Sequence, residues 1–104
     1  GFIFDADFIG NTSQLYVGNQ PVVYFGFVNF NFSFLNGDHV YFNTIPGDRD
    51  ATYERSAATN SLLGYQTGSL TKTKLQPGMN YFTVTGSSFI TNIVIQYNRL
   101  YGSL

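Results

Sequence analysis

The chain has no cysteine and no tryptophan, one methionine, one histidine and few charges: five Lys or Arg and six Asp or Glu in 104 residues. Each scarcity excludes something. Without cysteine there are no disulfide staples and no thiolate metal sites. The basic residues Arg49, Arg55, Lys72, Lys74 and Arg99 are scattered and the net charge is −1, so the clustered cationic face that nucleic acid requires is missing. No apolar run approaches the roughly 18 residues of a spanning helix, and no membrane span is expected. Asp5 and Asp7 stand where the basic region of a signal peptide would be, so none is expected either. Charged residues make up 11% of the chain against about 25% in ordinary domains. Asn, Thr, Ser, Gln, Gly and Tyr must therefore cover the surface, which points to covered neighbours in an assembly or a habitat outside the cytosol.

What the chain has in quantity is aromatic side chains, 11 Phe and 8 Tyr, within a hydrophobic content of 43%. That is enough apolar surface to offset ordering entropy, which excludes disorder. The length suits one domain with one core, spanning residues 1–104. The dominant period is two. Val28, Phe30, Phe32 and Phe34 alternate with Asn29, Asn31 and Ser33, and the pattern runs into Asn36-Gly37, which predicts a two-residue hairpin with φ > 0 at both positions. His39 to Ile45 alternates again, with Val40 and Phe42 on one face and His39, Tyr41 and Asn43 on the other. Pro46-Gly47-Asp48 is a turn, and 51–55 reads as a strand, so 28–34, 39–45 and 51–55 are expected to form a meander. Further strands are expected over 2–9, 14–17, 22–27, 80–85 and 89–97, the last with Thr91, Ile93, Ile95 and Tyr97 on one face. Residues 56–76 lack clear periodicity and read as a loop or short helical turn. About eight short strands at spacings of roughly 8–12 residues predict an all-β fold, a single antiparallel β-sandwich.

Chemistry has little to work with. His39 stands alone on a wet strand face, without the further ligands a zinc site would need. Asp5 and Asp7, at i and i+2, share a face, which suits a Ca²⁺ ion or a glycosidase pair but reads more simply as a solvated strand. Gly47-Asp48-Arg49-Asp50 lacks the distal Glu of a calcium loop and reads as a tight turn, with Arg49 neutralising its neighbours. Asn11-Thr12-Ser13 and Asn31-Phe32-Ser33 match a glycosylation sequon, a pattern that arises by chance in a chain this rich in Asn and Ser. No catalytic residue, cofactor or metal site is expected, and the chain reads as a non-enzyme. Phe is expected in the core. Tyr16, Tyr24, Tyr41, Tyr53, Tyr65 and Tyr81 are amphipathic platforms for sugar stacking or a protein interface.

The stretch from Leu35-Asn36-Gly37-Asp38-His39-Val40-Tyr41-Phe42-Asn43-Thr44 passes through Leu62-Leu63 and Leu75-Gln76-Pro77-Gly78-Met79-Asn80. It ends in Val94-Ile95-Gln96-Tyr97-Asn98-Arg99-Leu100-Tyr101. In order and spacing, over about residues 34–101, it resembles the C-terminal domain of the distal tail proteins of long-tailed bacteriophages (siphophages), a phage tail component family. It departs from that pattern at Asn43, where an acidic residue is common, and at Thr59-Asn60-Ser61, where a short Asn-Gly turn is usual. The resemblance implies a jelly-roll or galectin-like sandwich on the outside of a tail-tip hub, excised from a longer protein or belonging to a shorter relative. It implies a structural component of the host-adsorption apparatus, made in the bacterial cytoplasm from a phage or prophage gene and residing in the virion. Other tail proteins would be its partners, in a hexamer built by an N-terminal domain. Asn36, Gly37, Asp38, Pro77, Gly78 and Asn80 would be turn residues, none catalytic. The alternative is a carbohydrate-binding module that meets host glycans through exposed Tyr16, Tyr24, Tyr41, Tyr53 and Tyr65. By itself the domain is expected to be a monomer, its edges guarded by Asp5, Asp7 and Arg99.

Overall fold

Phe2, Phe4, Ala6 and Phe8 are buried while Ile3, Asp5 and Asp7 between them are not, which makes β1 (Ile3–Phe8) a strand with one face in a core and one wet. The computed structural model describes residues 1–19, 26–70, 81–85 and 87–97. Among these β1 is followed by β2 (Leu15–Asn19), β3 (Gly26–Phe30), β4 (His39–Asn43), β5 (Asp50–Arg55), β6 (Ala58–Ser61), β7 (Gln66–Gly68), β8 (Phe82–Thr85) and β9 (Ile90–Gln96). They form two antiparallel sheets, ordered β6-β5-β4-β1-β9 and β7-β3-β2-β8. The chain is an all-β sandwich, with nine strands among the described residues, close to the eight expected.

Phe supplies the largest side chains of the core. Among the described residues six of them, Phe2, Phe4, Phe8, Phe30, Phe34 and Phe42, are buried. Phe30 meets Phe42 across the sandwich at 5.8 Å between ring centroids, and Phe2 meets Phe82 edge-on at 5.4 Å. Phe4 stacks on Phe42 at 4.9 Å and Phe8 on Phe34 at 4.4 Å. Burying each ring contributes roughly 2–3 kcal/mol, and a well-placed ring pair about 0.5–1.5 kcal/mol more. Phe27 and Phe89 are the exceptions to the expected core role, each more than a third exposed.

The expected meander is corrected. β3 ends at Phe30 and belongs to the four-stranded sheet, while β4 and β5 pair in the other. Phe34 is buried and forms only an isolated bridge with Thr12, so the chain crosses between sheets here. Asn36-Gly37 is accordingly not a two-residue hairpin. Gly37 has φ +95°, but Asn36 does not share a positive φ, and the Asp38 N–H donates to the Leu35 carbonyl at 3.0 Å. This is a turn with the left-handed residue in third place, the position that favours glycine. Pro46-Gly47 makes a turn of the same kind, with Gly47 at φ +87° and Asp48 N–H on the Ile45 carbonyl at 3.0 Å.

The two-residue hairpin lies elsewhere. β5 and β6 pair from Thr52↔Ser61 to Arg55↔Ala58, and Ser56 (φ 52°) and Ala57 (φ 65°) are both left-handed. That is the φ pattern of a type I′ turn, built without glycine or asparagine. Thr59-Asn60-Ser61 thus lies within β6 and is not a turn. A 3-10 turn at Leu63–Tyr65 and the short β7 follow, with Leu62 sealed into the core, and 71–76 of the region read as irregular lie outside the described residues.

β9 departs from simple alternation. Asp5 pairs with Val94 and Asp7 with Thr91, so β9 carries one extra residue opposite β1, a bulge with Asn92 at φ 54°. Ile90 and Ile95 face the core on either side of it, and Thr91 and Ile95 do not share a face as expected. Asp5 and Asp7 are not edge guards, because β1 lies between β4 and β9. Arg99 lies outside the described residues, as do Tyr24, Pro77, Gly78 and Asn80.

Candidate functional site

The expected tyrosine surface does not form in one place. Tyr16 stacks on Phe27 at 5.5 Å on the four-stranded sheet. Tyr41 lies on the outer face of the five-stranded sheet, where its hydroxyl accepts a 3.2 Å bond from the Asn43 amide. Asn43 shares that face by register but is buried on it, its Oδ1 accepting from the Ile45 N–H at 2.8 Å. Tyr53 and Tyr65 do converge, around Phe32, at centroid distances of 4.5 and 4.8 Å.

Arg55 completes that cluster. Its guanidinium lies 5.2 Å from the Tyr53 ring centre and 5.5 Å from that of Phe32. Nε donates to Asp38 Oδ1 at 2.8 Å and Nη2 to Asp38 Oδ2 at 2.7 Å, a bidentate pair, and Nη2 also donates to the Ser33 carbonyl at 3.1 Å. Asp38 is buried, and its Oδ2 takes a further 2.8 Å bond from the Leu35 N–H. Burial pushes the Asp38 carboxyl up, but the Arg55 and Leu35 bonds outweigh it and hold the pKa below the ordinary value. Beside this pair opens a cleft of about 470 Å³ lined by Ser13, Asn31, Phe32, Ser33, Arg55 and Tyr65. Sequence reasoning missed Arg55. Its one signal is a lone cation at the end of a strand, and its partner becomes visible only when β4 and β5 are side by side.

The second cluster corrects the reading of His39 as partnerless. β1 and β4 pair so that Asp7 is directly opposite His39 and Asp5 opposite Tyr41. His39 Nδ1 meets Asp7 Oδ1 at 2.6 Å, and Nε2 contacts Asp5 Oδ1. The Asn92 amide at the β9 bulge donates to Asp7 Oδ2 at 3.0 Å. Three strands are thereby tied across one wet face. The bond to Asp7 raises the His39 pKa, against the effect of burial, and the same bond lowers that of Asp7. Each ring nitrogen faces a carboxylate, so the imidazole has no nitrogen left to activate a nucleophile. Among the described residues no group of three His, Cys, Asp or Glu side chains is placed to hold a metal ion. The ion pairs among them are those of His39 and Arg55, and Arg49 is in none.

The chain matches no model of a known protein family, no curated protein and no solved structure. No helix among the described residues is long and apolar enough to cross a membrane.

Proposed function

We propose that this domain is a structural part of a phage tail tip, similar to the C-terminal domain of a distal tail protein and acting through protein–protein contacts. The observation that carries the reading is how the resembling stretch is used. Its Asn36-Gly37-Asp38 segment forms the turn that feeds β4, the middle strand of the five-stranded sheet. The carboxylate of that segment, Asp38, is spent on Leu35 N–H and Arg55, a fastening role of the kind the resemblance implies. The two-sheet sandwich is also the class of fold it implies. Few surface charges suit a domain with neighbours close by. The test is labelling: antibodies against the domain, applied to phage particles released from the bacterium that carries the gene, are expected to mark the tail tip in electron micrographs. Label on the head, or absent from intact tails while the protein is present in the lysate, would overturn it.

A further inference from the structure

The cleft beside Arg55 combines an aromatic end with polar side chains. A second part of about 370 Å³ adjoins it through the shared Ser13 and Ser33 and continues past Asn11 and Thr12 to Leu35. The two sequon-like stretches, Asn11-Thr12-Ser13 and Asn31-Phe32-Ser33, therefore contribute to one groove. At one end Tyr65 is 47% exposed, set on its 3-10 turn and braced edge-on by Phe32. The rest is Ser, Thr and Asn side chains with Arg55, and Phe34 and the exposed Leu35 at the other part. Arg55 carries the groove's formal charge, and Asp38 neutralises it. Three of the guanidinium's five N–H donors are taken by Asp38 and Ser33. Among the described residues, the two on Nη1 have no acceptor.

A pyranose has an apolar face of C–H groups and a rim of hydroxyls. A rigid aromatic ledge beside uncharged donors and acceptors matches both. The internal pairing of Arg55 with Asp38 leaves no surplus cation to favour a carboxylated sugar. The geometry points to this groove as a binding site for a neutral oligosaccharide, with one ring on Tyr65 and hydroxyls on Ser13, Asn31, Ser33 and Arg55 Nη1.

The experiment is a titration of the isotope-labelled 104-residue chain, followed by amide NMR. The probes are neutral oligosaccharides of glucose, galactose, mannose and N-acetylglucosamine, with sialyllactose as the anionic control. At least one neutral sugar is expected to shift the Ser13, Asn31, Ser33 and Tyr65 signals together, with a dissociation constant on the order of 0.1–1 mM for so shallow a site. Tyr65→Ala is expected to weaken it at least roughly tenfold. Ser13→Trp, which fills the groove from an exposed position, is expected to abolish binding while the signals of core Val40 and Ile90 stay in place. No shifts at millimolar neutral sugar, shifts confined to other residues, binding of sialyllactose alone, or affinity unchanged in both variants would each overturn the assignment. None of these outcomes bears on tail-tip labelling, which reads assembly alone.

Discussion

Arg55 on β5 grips Asp38, which is 1% exposed at the head of β4, with two hydrogen bonds of 2.8 and 2.7 Å. The same guanidinium covers Phe32 and Tyr53. A single pair thus pins the crossover between the two sheets to the end of β5 and closes the aromatic end of the core.

Asp38→Asn keeps an acceptor for the Leu35 N–H but removes the charge that Arg55 faces. Loss of about 1–3 kcal/mol is expected, a fall of several degrees or more in melting temperature. Asp38→Ala removes both interactions and is expected to cost more. Calorimetry of the two variants checks the order. Equal stability of all three proteins would mean that the turn holds without its carboxylate.

Stability is expected to depend on pH through His39 and Asp7. The folded pKa of His39 is raised, so its contribution is complete below the unfolded value of about 6.5 and is lost as pH rises through the raised value. That of Asp7 is lowered, so its contribution is complete above about 3.9 and is lost as pH falls through the lowered value. The cluster therefore stabilises most between about pH 4 and 6.5. Both side chains are 42% exposed, and solvent screening limits the effect to roughly 0.5–1 kcal/mol. His39→Gln is expected to flatten the alkaline side of a melting-temperature profile and also to weaken the acid side, because the His39 bond is the main cause of the lowered Asp7 pKa; the acid dependence that remains is that of Asp38.

The Ser56-Ala57 turn holds two ordinary residues in the left-handed region. Replacing the pair by Asn-Gly is expected to stabilise by about 1–2 kcal/mol, because those residues tolerate the conformation. Gly37→Val runs the other way. A Cβ at Gly37 meets nothing within 4 Å, so its cost of about 1–2 kcal/mol is conformational alone. Chemical denaturation curves with unchanged slopes would register both.

Among the described residues β9 is an edge strand, without a charged residue, and Ile93 and Val94 on it are 42% and 45% exposed. Its protection is the bulge at Asn92, which twists and interrupts the edge. The isolated domain is expected to sediment as a monomer across micromolar concentrations. Deleting Asn92 restores unbroken alternation from Thr91 to Ile95 and is expected to promote association. A wild-type dimer would show that the bulge does not guard the edge.

The sequence by itself determined the class of fold and which face of several strands is wet. Phe4, Ala6 and Phe8 alternate with Asp5 and Asp7, and Val40 and Phe42 with His39, Tyr41 and Asn43, and period two is a local property of an extended chain burying one face. Sheet membership was not legible, because alternation does not say which strand lies alongside. Asn36-Gly37 carries the local signature of a hairpin, yet burial of Phe34 and the fastening of Asp38 send the chain to the opposite sheet. Ser56-Ala57 carries no such signature, yet pairing of β5 with β6 holds both residues left-handed. Asp5, Asp7 and His39 looked inert for the same reason. Their chemistry arises only when a register set by β1 and β4 places residues 32 apart within 2.6 Å. Arg55 and Asp38 found each other likewise, since contacts between distant residues follow from burying the Phe core in one particular strand order.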